Sequence, residues 1–312
     1  MADQSHFGVG QEVTYGTAVA PTKYFNVKGA ESVHEEPTWE EFGSVRAWSI
    51  RRIEEATSAI RGDVPIEGNY QDIGVILKHL IGDVDDTGSG PYTHTFPGST
   101  GIPATGRIGL GLTLEMLRAD GTLNWRYAGC KVIGLSLAAS PGSSPVWTVS
   151  FFGKTEDNTA SPATPSYPDD DLMLYKDLSV EFDSSAMDVE SVSLNVQFPT
   201  DEPFGAGSVN FIKEPKENGF LSVTGECVMW FDDMTEYNIF KNRSDVDVAI
   251  IMDDGTHSLT INQNKCKLTT PPTPPLEGRN RLKATFGWTS IYDTDATENI
   301  QCVLVNDQAT VI

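Results

Sequence analysis

The residues able to do chemistry in this chain are few and scattered. The five histidines are His6, His34, His79, His94 and His257, and none has a partner at HExxH or other zinc-ligand spacing. Each reads as ordinary surface, His79 as the polar flank of a helix. The four cysteines, Cys130, Cys227, Cys266 and Cys302, contain no CxxC pair and have no histidine close in sequence. Cys130 and Cys266 read as small buried residues, not as redox groups. Gly153-Lys154-Thr155 ends like a phosphate loop, but the glycine the pattern needs at position 148 is Thr148. Asp83-Val84-Asp85-Asp86-Thr87-Gly88 opens like a calcium loop, yet position twelve is His94 in place of a bidentate glutamate. It reads as an acidic turn after a helix, and Asp169-Asp170-Asp171 as a solvated linker. There is no GxSxG elbow. An enzyme is not expected, and no cofactor or metal.

Charge narrows the classes further. The chain has 312 residues, with 44 acids against 22 lysines and arginines, a formal net charge of −22. It lacks the cations from which phosphate affinity comes, which argues against nucleic-acid binding and adhesion to anionic lipid. Hydrophobic residues make up 39%, enough to build a core. No run approaches the roughly 18 apolar residues of a membrane helix. The opening Met1-Ala2-Asp3-Gln4-Ser5-His6 lacks the basic and apolar stretches of a leader. A soluble protein made in a reducing cytoplasm is expected.

The elements are mostly strands. Leu178, Val180 and Phe182 alternate with Ser179, Glu181 and Asp183. Val192, Leu194, Val196 and Phe198 alternate with Ser193, Asn195 and Gln197. Leu282, Ala284, Phe286 and Trp288 continue the pattern, as do Val246, Val248, Ile250 and Met252. Period two with one polar face means antiparallel sheet with one wet side. Two helices are expected. Residues 71–81 carry the stripe Ile73, Ile76, Leu77 and Leu80; residues 232–242 carry Met234, Tyr237 and Phe240. Asp233 and Glu236 resemble a capping box. Residues 45–60 form a weaker helical candidate.

The halves read alike. Ile66-Glu67-Gly68 precedes the first helix and Val223-Thr224-Gly225 the second. Then follow a strand, the turn Asp120-Gly121-Thr122 or Asp254-Gly255-Thr256, a strand with Cys130-Lys131 or Cys266-Lys267, and an ending Phe152-Gly153 or Phe286-Gly287. This order reads as a duplicated β-rich unit with one flanking helix, 1–165 and 166–312, joined through 154–171. Residues 1–165 carry 19 acids and 12 bases, and 166–312 carry 25 and 10, by direct count. Two segments, 34–62 and 199–218, fit no compact unit and read as long loops. They hold Trp39, Phe42, Trp48, Arg51 and Arg52, and Phe204, Phe211 and Lys213. Aromatic side chains suit a partner better than solvent, so these residues are candidates for contact between assembled copies.

Gly10-Gln11-Glu12-Val13-Thr14-Tyr15-Gly16-Thr17-Ala18-Val19-Ala20-Pro21, followed by Tyr24-Phe25, resembles the opening of tail tube proteins of long-tailed bacteriophages. Tyr92-Thr93-His94-Thr95-Phe96, Tyr127-Ala128-Gly129-Cys130-Lys131-Val132 and Lys213-Glu214-Pro215-Lys216-Glu217-Asn218-Gly219-Phe220 are similar to that family in the same order. Segments 34–62 and 292–312 match less clearly. The resemblance implies a mainly β fold: tandem β-sandwich units, each with a flanking helix, whose inner sheets join neighbours into a barrel wall. Stacked rings of such subunits would form a virion tail tube that passes DNA without gripping it, assembled in the host cytoplasm. Its partners would be other copies, the tape measure, the tail terminator and the baseplate, with no membrane.

A negative lumen suits the acidity, because it repels the DNA backbone. Ser179, Glu181 and Asp183, or Ser193, Asn195 and Gln197, are the wet-face candidates for its lining. Single-unit relatives form six-fold rings, so a duplicated chain implies a trimer with pseudo-sixfold symmetry. A rival ring has six chains, each with one half outside as decoration. The alternative function is a β-sandwich binding module, a phage adhesin or a carbohydrate-binding domain.

Overall fold

The computed structural model describes residues 5–46, 48–97, 109–118, 121, 123–167, 171–205, 211–231, 234–274, 282–296 and 298–312. The chain begins with β1 (His6–Gln11), β2 (Lys23–Phe25), β3 (His34–Phe42), β4 (Arg52–Glu67) and α1 (Ile73–Ile81). Then come β5 (Asp85–Gly88), β6 (Tyr92–Phe96), β7 (Leu112–Arg118), β8 (Leu123–Ala139), β9 (Val146–Gly153) and β10 (Thr155–Asp157). A single 3₁₀ turn at Tyr175–Asp177 leads to β11 (Leu178–Phe182), β12 (Ser185–Ala186), β13 (Val189–Gln197) and β14 (Ser222–Trp230). The remaining elements are α2 (Thr235–Asn242), β15 (Val246–Asp253), β16 (Ser258–Leu268), β17 (Lys283–Ser290) and β18 (Gln301–Asn306).

Alternation becomes two packed layers. One antiparallel layer runs β3–β4–β9–β8–β13–β14–β17–β16. The other layer holds β2–β1–β7 in the first half and β12–β11–β15 in the second. Apolar residues of the two layers meet face to face: Phe7 of β1 lies 6.3 Å from Phe151 of β9, and Phe182 of β11 lies 6.5 Å from Phe286 of β17. The long strands belong to both layers. β8 pairs with β7 through its first residues and with β9 and β13 through its last. A register shift between Val132 and Gly134 lies where its pairing changes, as a bulge that bends the strand would. The pairing series β1–β7–β8–β9–β4–β3 recurs as β11–β15–β16–β17–β14–β13.

The helices share a position in this series but not an environment. Ile73, Val75, Ile76, Leu77, Leu80 and Ile81 are all buried. Asp72 occupies the N-cap position of α1 without a side-chain cap bond; its carboxylate faces Lys23 Nζ at 3.3 Å. Gly74 lies under the C-terminal tail, where a Cβ would stand 2.7 Å from Val311 Cγ1. By contrast α2 has no fully buried residue; Met234 is exposed and Tyr237 and Phe240 are half-buried.

Several expectations change. Residues 45–60 are not helical: from Arg52 they form β4, with Ile60, Val64 and Ile66 turned into the core. Segment 34–62 is a β-hairpin instead of a loop, because β3 pairs with β4 from His34↔Arg61 to Phe42↔Arg52. The acidic turn after α1 is partly strand β5, and Asp86 bonds His94 Nδ1 at 2.6 Å. The capping box is not made; Met234 holds the N-cap position without a side-chain cap, and Asp233 lies outside the described residues. So do Asp120, Thr122, Pro168, Asp169 and Asp170. His6, His79, His94 and His257 are buried, not surface; His79 sits 3.2 Å from Gln11 Oε1. The Phe-Gly endings are not in register, since Lys131 faces Phe152 whereas Lys267 faces Thr289. All four cysteines are unpaired and buried, and burial pushes the Cys227 and Cys266 thiols up to about 12.

The C-terminal tail joins the halves. β18 pairs with β6 of the first half and β16 of the second. Leu304 is wholly buried there, against α1. Leu304→Ala is expected to lower stability by about 2–5 kcal/mol, read as a lower urea midpoint at unchanged m-value.

Candidate assembly surfaces

The continuous layer turns its other face to solvent, and the pairing registers set out its rows. Pro65, Thr148, Ser136, Asn195, Thr224 and Thr289 stand side by side across six strands. The next row holds Asp63, Ser150, Gly134, Gln197 and Ser222. A third holds Glu67, Val146, Ala138, Ser193, Glu226 and Gly287. Apart from the two glycines these residues are exposed or half-buried. Hydroxyls and amides dominate, with carboxylates at Asp63, Glu67 and Glu226. Ser193, Asn195 and Gln197 thus belong to this face. Ser179 and Glu181 do not: β11 packs Phe182 onto β17 from the other layer, which turns their side chains to the opposite exterior. Asp183 follows them into the β11–β12 turn, at φ 48°. The two sets lie on opposite exteriors of the sandwich.

The β3–β4 hairpin extends beyond the sandwich. β9 accompanies β4 only from Ile60 to Glu67, so the distal ribbon lacks that neighbour. A two-stranded ribbon is marginal alone, and this one exposes Trp39, Phe42, Ile53 and Trp48, the last completely. Arg52 pairs with Glu54 near the tip. The described residues of segment 199–218, 199–205 and 211–218, are closed by a Thr200↔Glu217 bridge, and Phe211 bridges Ser58 at the hairpin base. Ile212 is buried with Ala59 and Phe152. Arg61 ties the segments together: it pairs with Glu36 and Glu202, and its guanidinium lies 4.6 Å from the Phe152 ring centroid. Between them runs a groove of about 510 Å³, with Trp39 and Phe204 among its walls. Trp39, Phe204 and Phe211 are therefore brought to one place, while Phe42, Trp48, Arg51 and Arg52 lie toward the distal end and Lys213 is exposed on the segment.

Arg61, Glu202 and the neighbours of Asn195 in its row, Thr148, Ser136, Thr224 and Thr289, were not singled out from sequence as candidates. For Arg61 and the row the signal was the polar half of the strand alternation, which marks a wet face but not which strands share it, whereas Glu202 lies outside the strands and had no such signal.

Two stretches of the continuous layer lack an outer strand among the described residues. β3 pairs only with β4. Beyond Leu268, the Thr269 and Thr270 amides donate to Gly287 O, and Pro271, Pro272 and Pro274 follow.

Glu12 explains the opening motif in structural terms. Its carboxylate accepts from the Gly16 and Gly129 amides at 2.6 and 2.8 Å and from the Thr113 hydroxyl at 2.9 Å. Burial raises its pKa against those bonds. Gly129 belongs to the stretch that also supplies Lys131, which pairs with Glu214 at 2.7 Å. Three of the four resembling stretches are thus linked into one scaffold.

A family model described as phage tail tube protein matches residues 2–290. No curated protein matches the chain. Because Trp48 touches solvent on all sides, Trp48→Ser is expected to change unfolding free energy by less than about 0.5 kcal/mol, measured by urea titration of the unassembled chain.

Proposed function

The chain belongs to the phage tail tube protein family, and from that premise we propose how this structural subunit builds its tube. The continuous layer forms the inner wall, and its rows of serine, threonine, asparagine and glutamine face the passing DNA. A lining of hydroxyls and amides with scattered carboxylates offers phosphates no ladder of cations, so DNA is neither held nor trapped. Ser193, Asn195 and Gln197 line this lumen. Ser179, Glu181 and Asp183 face outward.

The observation that carries the reading is the β8–β13 pairing, Val192↔Ala139 through Gln197↔Gly134. It continues the wall from the first half into the second. We read the halves, 1–165 and 166–312, as duplicated wall units, in keeping with the recurring pairing series. The same junction between chains would set β3 of one copy beside the stretch after β16 of the next. Prolines there lack N–H donors, so this ladder is shorter than the internal one. Three chains then supply six wall units and leave no open edge. The β3–β4 hairpin and segment 199–218 reach the adjacent ring. Tape measure, terminator and baseplate meet the ends of the stack, and assembly occurs in the host cytoplasm. Nothing favours the adhesin or carbohydrate-binding reading: Trp39 and Trp48 stand on a projecting ribbon.

Native mass spectrometry of isolated rings is expected to give three chains; six would overturn the trimer. Deleting residues 38–58 is expected to leave soluble subunits that form no long tubes by negative-stain microscopy. Normal tubes from that variant would remove the hairpin from the stacking contact.

A further inference from the structure

Four segments remote in sequence meet at one buried imidazole. His257, in the β15–β16 turn, is 6% exposed. Around it stand Asp171 from the linker, Asp254 from its own turn, Asp307 from the tail and Gln71 from the loop before α1. Nε2 of His257 lies 3.0 Å from Asp307 Oδ2. Nδ1 has no hydrogen-bond partner, and stands 3.6 Å from Asp254 Oδ2 and 4.0 Å from Asp171 Oδ2. Among the described residues no lysine or arginine pairs with these three carboxylates. Three carboxylates around one imidazole repel one another, and a single imidazolium charge leaves two of the three uncompensated.

We propose that this cluster is a divalent cation site of the zinc class, with His257, Asp171 and Asp307 as ligands. One ligand atom from each lies within 4.8 Å of the others. Closing to bonds of about 2.0–2.2 Å requires only side-chain adjustment. Asp307 provides both that freedom and the entry path, because its side chain is 66% exposed. The imidazole selects zinc-like ions over calcium or magnesium, which prefer oxygen alone. The outer shell is already built. Asp254 Oδ1 is held by the Thr256 and His257 amides, both at 2.7 Å, and its Oδ2 backs the imidazole. Gln71 Nε2 donates to Asp171 Oδ2 at 2.8 Å and orients it. A bound ion would cross-link the linker, a second-half turn and the tail beside the first-half helix. This inference does not depend on how rings assemble.

The test uses the full chain, stripped with EDTA, titrated with zinc(II) by calorimetry and followed by thermal unfolding. Saturable binding of about one zinc per chain with a raised Tm is expected. Asp307→Asn, at an exposed position, should melt like wild type without zinc and bind zinc about tenfold or more weakly. His257→Gln should lose zinc binding. The site is overturned if wild type binds no zinc saturably, if Asp307→Asn binds it unchanged, or if calcium binds as well as zinc.

Discussion

The ladder between β8 and β13 is the constraint on which the architecture rests. It pairs a strand of the first half with one of the second and makes both halves share one sheet. The ladder requires the length of β8, 17 residues, because the strand must serve β7 in one layer before reaching β9 and β13 in the other. It also caps an edge that would otherwise expose unpaired backbone groups. Every polar row across the wet face passes through this junction, so the character of the face belongs to the whole chain and not to either half.

Polar residues are buried where remote segments meet. His94 sits between Asp86 and Asn306 Oδ1, while Asn306 Nδ2 donates to Tyr70 O at 2.8 Å. Glu115 is buried with Arg126 and His6 and accepts from the Ala163 amide, which fastens the inter-half linker to β7. Burial raises the Glu115 carboxyl, but the Arg126, His6 and Ala163 bonds outweigh it and hold the group below the usual range. Such bonds are directional and costly to leave unmade, so they fix one arrangement of apolar layers that could otherwise slide. The exposed aromatics of the hairpin have no such partners among the described residues. This contrast separates surfaces that complete the fold from one that stays open in the single chain.

The sequence by itself determined the β class, the helix α1, the Asp254-Gly255-Thr256 turn and the burial of Cys130 and Cys266. Alternation, a 3.6-residue stripe and turn chemistry are local properties of a chain. It also marked Ser193, Asn195 and Gln197 as a wet face, because their neighbours Val192, Leu194 and Val196 demand a core. Residues 45–60 misled because Ile50, Ile53, Ala56 and Ile60 imitate a helical stripe, whereas β3 supplies a ladder only tertiary pairing could reveal. The burial of His6, His79, His94 and His257 was equally hidden, since each also has a partner far along the chain: Glu115, Gln11, Asn306 and Asp307. What only the tertiary structure decided was which wet faces coincide. Ser179 and Ser193 obey the same period-two rule, yet they face opposite exteriors, because layer membership is set by non-local strand pairing and period two records only that a face is wet.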